Sequence, residues 1–349
     1  MVVPVCLVLS TGRCGSTVLS ELIREHPQAL SVSELFSSVR PQDLGEQEAD
    51  GVAFWHMLTG PRRADLMMLR CGISVEELLY PVDTPGPGAW RFSRGTGLPP
   101  PPIAQVTLPH LSDRPDDLFR RIGRAAVRLP RQRLSDHFRW LFGALAEDRR
   151  PAVVVERSGG SLAYAARLLR MFPGARVVHL YRDGRECAMS MSRHARYKMA
   201  MIRLRLASQL GYDPYADEAP DVDAADVREI DADLRELLPR HVTRAAYDAF
   251  DVPLYKYGSM WSKMIIDGMR LFRDHPNVLA LDYASLVSRP QETIGKVMDF
   301  MRLDRDPTWE SRMAARIRPS PKRQRAVDTR LSRACGSGMN RLYGRGGWH

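Results

Sequence analysis

Apolar and polar positions along this chain fall into two rhythms whose order predicts an α/β protein. Val5 to Leu9 is an unbroken apolar run of strand length, rich in β-branched residues, as expected of a strand buried on both faces. It stops at Ser10. A turn with Gly12 and Gly15 follows, and then Val18, Leu19, Leu22 and Ile23 recur at the spacing of one helical face. His26-Pro27 closes that helix, because proline cannot continue it and restricts the residue before it. The order repeats downstream. Ala152 to Val155 reads as a strand, about Leu162 to Phe172 as a helix, and Arg176 to Leu180 as a further strand. Tyr181-Arg182-Asp183-Gly184-Arg185 then turns into helical residues through Ser190 and His194. Asn277 to Leu281 is another strand, and Pro290 to Met301 a helix with Ile294, Val297, Met298 and Met301 on its inner side. Strands alternating with helices predict a central parallel β-sheet flanked by helices.

Between these units the rhythm changes. Residues 40 to 75 read as loop and helix, and Ala29 to Val39 carries Glu34 within a short apolar phrase at a strand end. From Pro81 to Pro109 proline, glycine and arginine dominate around Trp90 and Phe92, predicting an extended surface stretch that serves as a lid or faces an acceptor. A helical stretch is predicted from about Pro115 to Leu145, with Phe138, Leu141, Phe142 and Leu145 at core spacing. Asp213 to Glu236 is acidic and reads as a solvated insertion with a helix from about Ala224. Met260 to Arg273 is a helix with Trp261, Ile265, Met269 and Phe272 on one side. Beyond Arg312 the chain is basic and glycine-containing, a tail either partly disordered or folded over an anionic ligand.

With 349 residues, 44% of them hydrophobic, the chain can form one large domain with insertions or two modest ones. No stretch approaches the ~20 apolar residues of a membrane span. The apolar start lacks a preceding Lys or Arg and runs straight into a glycine turn, so it reads as a strand and not as a secretory signal, and a cytoplasmic location is expected. Cys6, Cys14, Cys71, Cys187 and Cys335 are odd in number and widely spaced, arguing against a disulfide framework or a zinc site and for reduced thiols. The net charge of +10 rests almost wholly on arginine. That suits anionic small ligands; without stacking aromatics or a recognition module beside it, nucleic acid is not the expected partner.

The chemistry concentrates in the turns. A glycine turn opening a helix presents unpaired backbone N–H groups and the positive end of the helix dipole. Arg13 adds a cation, and Ser16 and Thr17 add hydroxyls, so the turn outlines a phosphate or sulfate cradle. It is not the nucleotide triphosphatase signature, which needs Lys where Gly15 stands. Taken alone, the turn equally suits a glycine bend used only for geometry. Arg182 and Ser190 supply a second cation and hydroxyl, and two such turns on parallel strands suggest one ligand with an anion at each end.

Together these pieces resemble the sulfotransferases that use 3′-phosphoadenosine-5′-phosphosulfate (PAPS). Thr11-Gly12-Arg13-Cys14-Gly15-Ser16-Thr17 is similar to the family's 5′-phosphosulfate loop, and Leu180 to Arg185 through Ser190 is similar to its 3′-phosphate motif. Phe172-Pro173-Gly174-Ala175-Arg176 precedes the latter in the family's manner. Leu281-Asp282-Tyr283 with Leu286 and Pro290 resembles the later strand and helix that bring a tyrosine toward the adenine. The resemblance spans roughly residues 5 to 40, 150 to 195 and 275 to 305, and is to the bacterial and Golgi-type branch. It implies a P-loop-like three-layer sandwich over residues 1–349 as a single domain, with variable acceptor-side insertions at 40–110 and 195–260 and a basic tail at 312–349. It also implies Glu34, seven residues after Pro27, as catalytic base, and Arg157 in the place of a catalytic lysine. The donor site would comprise Gly12, Arg13, Cys14, Gly15, Ser16, Thr17, Arg182, Ser190 and Tyr283, with Lys322 and Arg323 as candidates for the family's C-terminal basic motif. Val18 stands where the cytosolic enzymes have an aromatic.

On this resemblance Arg13, the loop amides, Ser16 and Thr17 hold the 5′-phosphosulfate, and Arg182 and Ser190 hold the 3′-phosphate. Glu34 receives the proton of an acceptor hydroxyl. PAP is the product and no metal is implied. The acceptor is a hydroxylated small molecule, sugar or glycolipid, the last reached by peripheral contact with a membrane. His56, His110 and His194 read as ordinary surface or loop histidines and stand second to Glu34 as base. The competing readings are a P-loop kinase-like phosphotransferase, which lacks its Lys here, and a non-catalytic protein binding an anionic ligand or nucleic acid.

Overall fold

The computed structural model describes residues 3–73, 77–82, 91–92, 99–146, 149–222, 230–318 and 328–344. Five strands form one parallel sheet: β1 (Val5–Ser10), β2 (Ala29–Ser33), β3 (Val153–Arg157), β4 (Arg176–Tyr181) and β5 (Val278–Asp282). Their spatial order is β2-β3-β1-β4-β5. Val5 pairs with Val154 on one side of β1 and Cys6 with Arg176 on the other. Every residue of β1 is buried, as its unbroken apolar run requires of a central strand covered by helices on both faces. Because β3 and β4 flank β1 on opposite sides, the chain reverses its direction of winding there. The crevice beyond the carboxyl ends of such strands is where α/β sheets bind ligands.

The helix Ser16–Arg24 leaves β1 through the glycine turn, and it buries Leu19, Leu22 and Ile23. Glu34 immediately follows β2. The helices Leu254–Phe272 and Pro290–Met301 bury the apolar faces expected of them. No helix among the described residues is long and apolar enough to cross a membrane.

Four segments differ from expectation. The stretch 115–145 is two helices, Pro115–Ala126 and Leu134–Ala146. Between them Gln132–Arg133 pairs antiparallel with Glu48–Ala49, and Pro130 prevents a continuous helix. Much of Pro81 to Pro109 lies outside the described residues, Trp90 included. Its last part is no surface lid, because Pro102–Gln105 and Thr107–Leu111 are short helices with Ile103, Ala104 and Leu108 in the core. Pro102 fits the first turn of a helix, where its missing N–H is not needed. The acidic insertion is more than a solvated face. Tyr215, Ile230 and Leu234 join Met67, Met68, Met199, Ile202 and Leu206 in a second, smaller core; the proposed helix start at Ala224 lies outside the described residues. Finally, the basic tail contains the helix Thr329–Tyr343, which buries Leu331, Cys335 and Leu342. Its Gly338 amide donates to Ser262 Oγ at 2.8 Å on the helix Leu254–Phe272.

Candidate active site

The glycine turn after β1 is held open by its neighbours. Gly12, Arg13 and Gly15 all take positive φ, of 74°, 57° and 90°. At Gly15 this is a conformation that side chains resist, and an added Cβ would also lie 2.1 Å from the Tyr283 ring. At Gly12 a Cβ would lie 1.9 Å from Tyr197 Oη, which donates to the Thr11 carbonyl at 2.7 Å. No side chain caps the helix Ser16–Arg24, so its first amides are open to an anion.

Arg13 reaches across to the second turn. Its Nε donates to Ser190 Oγ at 3.0 Å, and its Nη1 lies 3.1 Å from Glu77 Oε1. Arg182, after β4, donates from Nε to Glu186 Oε2 at 2.5 Å and lies over the Tyr283 ring, 4.8 Å from its centroid. The Cys187 thiol faces the carbonyls of both Arg13 and Arg182, at 3.8 and 3.9 Å. Burial pushes that thiol well above its ordinary pKa.

Glu34, at φ 58°, carries its amide onto the Arg157 carbonyl at 2.7 Å. Its carboxylate is ion-paired to Arg157 Nη1, accepts from Ser37 Oγ at 2.5 Å, and accepts from the Gly159 amide at 3.1 and 3.0 Å. Arg157 Nη2 donates to Ser33 Oγ at 2.7 Å. Both side chains are nearly buried, 6% exposed for Arg157 and 12% for Glu34. Three donors therefore share the lone pairs of Glu34. Behind this pair Glu156 is fully buried, takes hydrogen bonds from Ser158 Oγ (2.5 Å) and the Phe36 amide (3.2 Å), and is pushed up to about 8 by burial.

These groups open on one cavity of about 470 Å³. Gly12, Arg13, Gly15, Ser16, Thr17, Glu34, Arg157, Arg182 and Ser190 all line it. Cys14 and Tyr283 do not: Cys14 is fully buried in the core beneath the loop, and Tyr283 backs Gly15 and carries Arg182. Lys322 and Arg323 lie outside the described residues.

Other buried polar groups stand beside these residues. His194 and His110, read as surface or loop histidines, are both buried, His194 in the loop before the helix Ala195–Leu210 and His110 within the helix Thr107–Leu111. His194 also lines the cavity and shares a 2.6 Å hydrogen bond with Glu77 Oε1. Burial alone would raise the Glu77 carboxyl, but the hydrogen bond with His194 and the charges of His194 and Arg13 hold it below the usual range. Nothing local marks Glu77, which stands in a loop; Glu156 could have been singled out as the carboxylate that directly follows the apolar run Val153 to Val155.

Residues 125–253 match the model of a sulfotransferase family. That segment contains Arg157, Arg182 and Ser190 but not the first glycine turn or Glu34. No curated protein sequence matches the chain. Among solved structures the chain is similar to the sulfotransferase domain of the Synechococcus PCC 7002 olefin synthase, at 15% identity and a TM-score of 0.45 over 96% of this chain and 94% of that one. It is also similar to the sulfotransferase domain from the curacin biosynthetic pathway, at 13% identity and a TM-score of 0.43 over 96% and 98%. A third is sulfotransferase STF9 from Mycobacterium avium, at 14% identity and a TM-score of 0.43 over 97% and 77%.

Proposed function

Taking the chain as a protein of the sulfotransferase family, we propose that it transfers the sulfuryl group of PAPS to the hydroxyl of an organic acceptor. The observation that carries this reading is that Arg13 and Arg182, from turns after two adjacent parallel strands, open on one cavity with Glu34. The donor set fits a doubly anionic ligand: two guanidinium groups, the hydroxyls of Ser16, Thr17 and Ser190, and an uncapped helix N-terminus.

In this proposal Arg13, the loop amides, Ser16 and Thr17 take the 5′-phosphosulfate end, while Arg182 and Ser190 take the 3′-phosphate. Tyr283 sets the orientation of Arg182 through the face of its ring. Sulfuryl transfer resembles phosphoryl transfer in having a loose in-line transition state, so positioning and charge neutralisation provide most of the catalysis. The acceptor oxygen forms its bond to sulfur as the bond from sulfur to the phosphate oxygen breaks. The electron pair leaves with the phosphate of PAP, whose growing charge Arg13 meets, and the acceptor proton passes to Glu34. Arg157 holds Glu34 in place, and the Ser37 hydroxyl is the donor free to rotate aside.

Calorimetry with PAP, ATP and RNA tests the donor reading. Saturable micromolar binding of PAP alone is expected; preference for ATP, or a requirement for magnesium, would favour a kinase-like phosphotransferase. Incubation with PAPS and candidate acceptors, read by mass spectrometry as the gain of one SO₃, tests the transfer itself.

A further inference from the structure

Beyond Glu34 the cavity is lined by a second pair of arginines, Arg62 and Arg196. Arg62 precedes the helix Arg63–Arg70, and its Nη2 donates to the Ser37 carbonyl at 2.9 Å. Since the Ser37 hydroxyl donates to Glu34, Arg62 stands one residue away from the proposed base. Arg196 lies in the helix Ala195–Leu210, and its Nη2 donates to Gln105 Oε1 at 2.8 Å. Asp65 Oδ1 is 4.0 Å from Arg196 Nη1, while no carboxylate comes within 4.0 Å of Arg62 among the described residues. Asp65 thus stands near both guanidinium groups, and neither arginine has a carboxylate at hydrogen-bonding distance among the described residues. Burial first, and then the like charge of Arg196, lower the pKa of Arg62 against the opposing charges of Asp65 and Asp217. Two cations turned toward one cavity repel each other, and an anion between them removes that penalty. The wall beside them is apolar, formed by Leu78, Pro102 and Val106.

We infer that the acceptor is a hydroxy acid: an apolar body with its hydroxyl at Glu34 and a carboxylate received by Arg62 and Arg196. The planar guanidinium matches a carboxylate in two parallel hydrogen bonds. This rests on the sulfuryl-transfer reading for the role of the hydroxyl, but the carboxylate preference is measurable by itself.

The test is calorimetry of the PAP-loaded protein with para-hydroxyphenylacetate and para-hydroxyphenylpropionate, each against its methyl ester. The acids are expected to bind roughly tenfold or more tighter than the esters, the scale of charge-assisted hydrogen bonds. In Arg62→Gln and Arg196→Gln that ratio should fall toward one while PAP affinity stays at the wild-type value. Equal affinity for acid and ester, undetectable binding of both acids, or a ratio unmoved by either substitution would overturn the inference. So would weakened PAP binding in Arg62→Gln, since the arginine would then serve the donor. A protein that fails to bind PAP yet keeps the acid preference refutes the donor reading and supports this one.

Discussion

Replacing Glu34 by glutamine separates its observed role, as partner of Arg157, from its proposed one, as base. Glutamine has the same shape, and its amide oxygen can still accept from Arg157 and from the Gly159 amide, but the negative charge is gone. Arg157, 6% exposed, then keeps a buried charge without its counter-ion. Breaking a buried pair in this way costs about 3–5 kcal/mol, and the retained acceptor places this change near 3 kcal/mol. Loss of a general base lowers turnover roughly 100- to 10,000-fold. Urea unfolding, PAP calorimetry and PAPS-dependent turnover read the three quantities separately. Glu34→Gln should lose stability and turnover while PAP affinity holds, because the proposed donor contacts lie on Arg13, Ser16, Thr17, Arg182 and Ser190. Adding Arg157→Met removes the uncompensated charge, so the double variant should regain stability and stay inactive. Near-normal turnover in Glu34→Gln would refute the assignment and move it to His194, whose Nδ1 has no hydrogen-bond partner among the described residues. Recovered turnover in the double variant would refute it too, since Glu34 would then do no more than neutralise Arg157.

Glu77 places a carboxylate on Arg13, where the proposed donor anion would sit, so Glu77→Gln should tighten PAP binding several-fold by calorimetry; weaker binding would show that Glu77 orients Arg13 instead. Glu156 is raised by burial from 4.5 to about 8, so the folded state holds a proton that the unfolded chain releases between those values. Its contribution is present below about pH 4.5 and is lost as pH rises toward 8, with a slope on the order of 1 kcal/mol per pH unit; Glu156→Gln should flatten the fall in urea midpoint between pH 6 and 8 by roughly that slope. A Cβ at Gly338 would lie 2.6 Å from the Trp261 ring, so Gly338→Val should push the helix Thr329–Tyr343 off its seat, lower the melting temperature by several degrees and shift the emission of the buried Trp261.

The glycine turn proposed for the donor was legible in the sequence because its residues are local. Gly12, Arg13, Gly15, Ser16 and Thr17 are consecutive or nearly so, and the strand before them and the helix after them each announce themselves by rhythm. Arg182 and Ser190 are likewise eight residues apart on one turn and helix. Even Glu34 is placed by a short interval from β2. Long-range pairing is a different matter. Glu77 meets Arg13 across 64 residues and Glu34 meets Arg157 across 123, and neither partnership leaves a periodic trace. The tail helix escaped notice because arginines and glycines dominate its composition, whereas what fixes it is the spacing of Leu331, Cys335 and Leu342 against the helix Leu254–Phe272. Tyr283, expected near the adenine, backs Gly15 and lies under Arg182, contacts that its place in the order of motifs could not give. A parallel sheet thus writes its anion site into single turns after single strands. The proposed acceptor end draws on Arg62, just before the helix Arg63–Arg70, and on Gln105 and Arg196 from two other helices, so its charge becomes readable only once those segments are packed together.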